Sequence, residues 1–105
     1  MARNASRHPD LQPSHPGAML REIVLPATGK SKAEIASLLG ISRQTLYEVL
    51  AETQGVTPGM ALRFGKLFGD GPEIWIKMQS AHDLWQAEKE LSATIAAIPT
   101  LTAAA

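Results

Sequence analysis

Apolar residues along this chain recur at spacings of three and four, and no stretch alternates convincingly with the period of two of a half-buried strand. The pattern predicts an all-α chain of five helices. Met19, Leu20, Ile23 and Val24 share one face of a first helix from about Ala18 to Leu25, which Pro26 is expected to end. Ser31-Lys-Ala-Glu34 is a capping box, the hydroxyl accepting from the amide three residues on while the carboxylate reaches back, and it opens a second helix. That helix ends at Gly40. Ser42 caps a third, about Arg43 to Ala51. Thr57, with Pro58 at the first helical position, starts a fourth that ends near Phe68-Gly69. Gly71-Pro72 introduces the fifth and longest, which reaches about Ala97, short of Pro99.

The second and third helices carry the chemical argument. Two helices cross steeply over a three-residue turn only when the crossing residue is small, the turn residue accepts an unusual backbone angle and the facing residues are apolar. Ala36, Gly40 and Ile41 fill those places, and Ile35, Leu39, Leu46 and Val49 supply the inward faces. What remains on the third helix is Arg43, Gln44, Thr45, Tyr47 and Glu48. Its outer face at the amino-terminal end is therefore made of side chains that reach base edges and phosphates. An αα-hairpin with a solvated polar face is the plainer alternative. The Ala, Gly and apolar spacing favours a helix-turn-helix whose second member enters a DNA major groove.

Composition sets limits on this reading. A chain of 105 residues with 45% apolar and 19% charged residues suits one folded domain. Without cysteine there are no disulfides, zinc fingers or thiol chemistry. No apolar run approaches a membrane span, and Met1–His8 lacks the greasy stretch of a signal peptide, so a cytoplasmic protein is expected. Residues 1–17, with Pro9, Pro13 and Pro16, read as an extended arm, 18–98 as the domain and 99–105 as a frayed tail. The formal net charge is zero, with +2 on residues 1–30, a neutral middle and −2 on residues 71–105. Nucleic-acid binders are usually basic, so the case for DNA rests on geometry alone. His8, His15 and His82 lack metal-ligand spacing, and His15 reads as a local capping or packing residue. Gly29-Lys-Ser31 lacks the strand and further glycine of a phosphate-binding loop. Neither a metal, a cofactor nor an enzyme activity is expected.

Several phrases together resemble a known family. They are His15-Pro-Gly17, Ser31-Lys-Ala-Glu-Ile-Ala-Ser-Leu-Leu-Gly-Ile-Ser-Arg-Gln-Thr-Leu46, Val56-Thr-Pro58, Met60-Ala-Leu-Arg63, Leu67-Phe-Gly69 and Asp83-Leu-Trp-Gln-Ala-Glu88. Spanning about 15–90, they resemble the Cro/cI-type (XRE) helix-turn-helix. The last phrase points more narrowly to the HigA-like (VapI-like) antitoxins of type II toxin–antitoxin modules. The resemblance implies a five-helix, lambda-repressor-like domain that forms a homodimer, binds a palindromic operator in double-stranded DNA, represses its own operon and binds a RelE-like ribonuclease toxin. Carried over by position, it puts Arg43, Gln44, Thr45 and Glu48 in or beside the major groove. Lys32 and the amide ends at Ser31, Ser42 and Thr57 fall near phosphates, where helix N-termini favour anions. Tyr47 lies either against the sugar–phosphate backbone or over the outside of the third helix. The chain also departs from the family. Ala51-Glu-Thr-Gln-Gly55 replaces an Asn-Gly-type loop that carries a cation, Gly59 stands where an acid is usual, Gly65 where Ala is usual, and Ala18 where Glu follows His-Pro-Gly. A helix-interior glycine costs about 0.5–1 kcal/mol against Ala, so a looser fourth helix is expected.

On the fifth helix Ile74, Met78, Ala81 and Trp85 recur at spacings of four, three and four, and Leu84, Leu91, Ile95 and Ile98 extend a neighbouring stripe. The first half suits packing on the chain's own core. Beyond it Leu91, Ile95 and Ile98 need another partner, a second subunit or a toxin, and with Trp85 they are the candidate dimer interface. The arm and first helix, with Arg3, Arg7, Met19 and Arg21, are candidate toxin contacts. Two function classes follow: a DNA-binding antitoxin and autorepressor, or a protein-interaction module or lone transcriptional regulator without a toxin.

Overall fold

Five helices, and no strand, make up the fold of residues 12–102, the part of the chain that the computed structural model describes. Arg3 and Arg7 lie outside the described residues. The first helix, α1, runs through three stretches, an α-helical Pro16–Met19, a π-helical Leu20–Val24 and an α-helical Leu25–Thr28. It is followed by α2 (Lys32–Leu39), α3 (Arg43–Leu50), α4 (Pro58–Phe68) and α5 (Glu73–Ala96). Ser31, Ser42 and Thr57 each accept from the amide three residues on, and Ser31 with Glu34 completes the capping box.

Helix α1 departs from expectation at both ends. It starts at Pro16, because His15 is its N-cap and Pro16 occupies the first helical position, the same arrangement as Thr57-Pro58. It also continues through Pro26. The Leu25 amide donates to the Leu20 carbonyl five residues back, and this wider turn makes room for the ring without breaking the helix. The extra residue in the turn also moves the apolar face. Leu20 and Leu25 are buried, while Ile23, expected to face inward, is 64% exposed.

The core forms where α1 to α4 meet the first turns of α5. Leu20, Ile35, Ala36, Leu46, Val49, Ala61, Phe64 and Trp75 are buried there. The Trp75 ring packs on Phe64 and Phe68, with centroids 5.1 and 6.0 Å away, and its Nε1 donates to Asp70 Oδ1 at 2.9 Å. Two glycines allow backbones to touch. A Cβ at Gly17 would lie 1.9 Å from the Val49 carbonyl oxygen, and one at Gly65 would lie 2.3 Å from the Gly71 carbonyl carbon. Gly65 therefore does not loosen α4. It is the residue that lets α4 meet the turn leading into α5.

At about 1.5 Å per residue the 24 residues of α5 span roughly 36 Å. Only Trp75 and Gln79 are buried in it, and every residue from Glu88 onward is exposed. The helix leaves the core and accounts for a long dimension of 56 Å against 30 and 28 Å.

Candidate nucleic-acid interface

The turn between α2 and α3 is built as the spacing requires. Gly40 ends α2 at φ 73°, its amide and that of Ile41 closing on the Ser37 and Ala36 carbonyls at 3.1 Å each. Ile41 packs against the core beside Leu39 and Leu46. These contacts fix α3 with its amino-terminal end outward.

Ser42, Arg43 and Gln44 are exposed there, with Thr45 and Glu48 partly so and Tyr47 48% exposed. Among the described residues Arg43 makes no hydrogen bond or ion pair, which leaves all its guanidinium donors to a ligand. Ser42 Oγ accepts from the Thr45 amide at 3.0 Å and donates to Thr45 Oγ1 at 2.9 Å, so the two hydroxyls form one fixed unit. Gln44 Nε2 donates to Glu48 Oε2 at 3.2 Å, one turn along the same face.

The helix ends differ in what they offer an anion. At α3 the amides of Arg43 and Gln44 remain open beyond the Ser42 cap. At α4 Thr57 caps Met60, Pro58 has no donor, and the Gly59 amide remains. At α2 the Ser31 amide, just ahead of the helix end expected near a phosphate, donates to Glu34 Oε1 at 3.0 Å. That bond holds the Glu34 carboxyl below its ordinary range, so at this terminus a carboxylate already sits beside the open amides of Lys32 and Ala33 and the exposed Lys32 side chain.

The acidic loop after α3 also differs from expectation. Glu52 adopts a left-handed φ of 65°, and its carboxylate lies 3.2 Å from Arg21 Nη1. The same nitrogen donates to the Leu50 carbonyl at 2.6 Å, while Nη2 pairs with Glu22 at 2.9 Å. Arg21 thus ties α1 to the end of α3 and offsets the charge that stood unopposed in the sequence. Two further ties escaped the sequence reading. Arg63 Nη1 on α4 donates to the Leu39 and Gly40 carbonyls at 2.6 and 3.3 Å, a cation at the carboxyl end of α2. Gln79 on α5 accepts from the Val56 amide at 2.7 Å and donates to Asp83 at 2.9 Å, pinning the same loop from the other side.

Away from this face, Leu91, Ile95 and Ile98 are 45%, 55% and 59% exposed, with Leu84 beside them at 47%. Trp85 is half-buried, and Lys89 Nζ stands 4.5 Å from the centre of its ring.

No family model matches the chain, but individual proteins do. Virulence-associated protein I of Dichelobacter nodosus is 37% identical over 88 residues, 84% of this chain and 82% of that protein. Among solved structures, the Pseudomonas aeruginosa antitoxin HigA with the higBA promoter superposes with a TM-score of 0.81 at 30% identity, covering 87% of this chain and all of that one. The chain belongs to the HigA-like antitoxins. Antitoxin GraA in complex with its operator, at 36% identity and a TM-score of 0.81 over 89% of this chain and 95% of that one, is a second HigA-like fold solved on DNA. Within this HigA-like chain no helix among the described residues is long and apolar enough to cross a membrane.

Proposed function

We propose that this chain is an antitoxin that binds its own operator as a homodimer and represses the operon encoding it. The exposed amino-terminal end of α3, with Arg43, Gln44 and Thr45 turned away from the helix-turn-helix core, is the observation that carries the reading. Arg43 and Gln44 read base edges, with Thr45 and Glu48 beside them. Lys32, Ser42, Tyr47 and Thr57 meet the backbone, while Ser31 shapes the end of α2 through its cap with Glu34 rather than by offering its own amide. The operator-bound HigA and GraA structures support this use of the fold. The exposed stripe of Leu91, Ile95 and Ile98, with Trp85 at its near end, supports pairing through α5. A two-fold dimer calls for a palindromic operator. DNA is a cytoplasmic partner, and the reading puts the chain there.

The toxin expected for such an antitoxin is a RelE-like ribonuclease, and α1 remains the candidate surface for it through the exposed Ile23, since Met19 packs partly buried against the core and Arg21 is held by Glu22 and Glu52. A regulator without a toxin is the second reading. Relatives such as YbaQ of Escherichia coli, 29% identical over 76% of this chain, are HTH-type transcriptional regulators by name. A reading frame of toxin size beside this one, whose product co-purifies with the chain, separates the two.

The deciding experiment is titration of the chain's own promoter against a random duplex at two salt concentrations. Specific binding about a thousandfold or more tighter on the promoter, weakening as salt rises, is expected. Equal affinity for both duplexes would overturn the reading.

A further inference from the structure

Helix α3 is held at both ends by an arginine from another helix. At its carboxyl end Arg21 of α1 donates to the Leu50 carbonyl at 2.6 Å. At the other end Arg63 of α4 lies over the turn that aims α3, its Nη1 donating to the Leu39 carbonyl at 2.6 Å and to the Gly40 carbonyl at 3.3 Å. A Cβ on Gly40 would stand 2.9 Å from that same nitrogen, so the guanidinium sits directly against the turn. Just beyond Gly40 the Ser42 cap opens α3, and Arg43 follows. On α4, Arg63 stands one helical turn beyond Gly59, whose amide is open at the helix start beside Thr57. The core packs α4 on α2 and α2 on α3, and Arg63 is the polar link along that route. One side chain thus joins the starts of two helices, α3 and α4.

Resting on the operator-binding reading above, we infer that Arg63 is a positioning residue for sequence recognition, fixing the base-reading start of α3 against the backbone-contacting start of α4. The two kinds of contact differ in tolerance. Paired hydrogen bonds to a base edge depend on distance and angle and weaken steeply when a donor tilts. Contacts to phosphate draw mainly on charge and survive a small shift. Loosening the link between the two helix starts therefore weakens the promoter complex and spares non-specific binding. The turn keeps its shape without Arg63, because the Gly40 and Ile41 amides close it on the Ser37 and Ala36 carbonyls. Water replaces the guanidinium at the exposed Gly40. What is lost is the placement of the turn relative to α4.

The test titrates full-length wild type and Arg63→Met against the chain's own promoter and a random duplex over a range of salt. Methionine keeps the apolar stem and removes the donors. On the promoter Arg63→Met is expected to bind about tenfold or more weaker, the loss of a base contact in each half-site. On the random duplex the change should be about twofold or less, with an unchanged slope of log affinity against log salt, because no phosphate contact is removed. Leu25→Val thins the core beneath α1, away from this link, and controls for stability. It should lower the melting temperature and leave the ratio of promoter to random affinity intact, all titrations being run where each variant is folded. Equal losses on both duplexes with a shallower salt slope would make Arg63 a phosphate contact and overturn the positioning role. So would an unchanged promoter affinity, or a ratio that falls as far in Leu25→Val. Each of these leaves the wild-type preference for the promoter in place. A wild type that binds both duplexes equally fails the operator reading itself, and this inference falls with it.

Discussion

Arg43 is the first residue of α3 and spends none of its donors on the described chain, so its removal tests the interface most directly. Arg43→Ala should weaken operator binding roughly tenfold or more, because the loss is felt in both halves of a dimer. The melting temperature should hardly move, since the site is exposed. An equal loss on random duplex would make Arg43 a phosphate contact. His15 makes a prediction of a different kind. Its ring is 4% exposed, Nδ1 accepts from the Gly17 amide at 2.9 Å, and the ring stands edge-on to His82 at 5.0 Å. Burial first, and then the neighbouring His82, lower its pKa against the opposing pull of Glu52 and Asp83. The unfolded chain then binds the proton more readily than the folded one. The stabilisation is complete above about pH 6.5 and is lost as the pH falls below it. Melting curves between pH 7.5 and about 5.5 should show that decline. His15→Asn keeps a capping acceptor without a titrating ring and should flatten it. At this scale the exposed face of α3 was legible, because it is what remains once the inward helical positions are assigned. The ties from Arg21, Arg63 and Gln79 were not, because they join residues 23 to 31 apart and leave no mark on local periodicity.

The helices themselves were read from caps and breakers, and those signals vary in strength. Ser31, Ser42, Thr57 and Gly40 mark ends through local backbone chemistry alone, and α2 to α5 begin and end within a residue or two of the expected places. Pro26 misled because a proline excludes an i to i−4 bond but not a π turn, and the choice between breaking and widening is made by packing. Leu25, drawn into the core by that turn, gives the packing a reason to choose the wider helix. The glycines of α4 show the same dependence on neighbours. Gly59 has nothing within 4 Å of where a Cβ would stand, whereas at Gly65 backbone atoms of Gly71 and Pro72 fill the place. Gly59→Ala should stabilise the protein by about 0.5–1 kcal/mol and Gly65→Ala should destabilise it by about 1–3 kcal/mol. Denaturant midpoints of the two variants check both signs, and a shift in the same direction for both would contradict the close approach at Gly65.

For the whole molecule the zero net charge is partly an internal affair, since Arg21 offsets Glu52 just beyond the end of α3. The other unbalanced quantity is apolar surface on α5. Leu91→Asp with Ile95→Asp should give a folded monomer with much weaker operator binding, measured by sedimentation and titration. A wild type already monomeric at micromolar concentration would remove the interface. The arrangement of α5 also gives the protein two optical reporters. Trp75 and Trp85, the chain's two tryptophans, lie on the same helix, one sealed in the aromatic cluster and the other half-buried where the helix leaves the core. The emission of Trp75 should stay blue until the domain unfolds. The emission of Trp85 should shift towards the red on dilution, as subunits part. With Trp75→Phe and Trp85→Phe each leaving one emitter, folding and association become two separate colours of light from one chain.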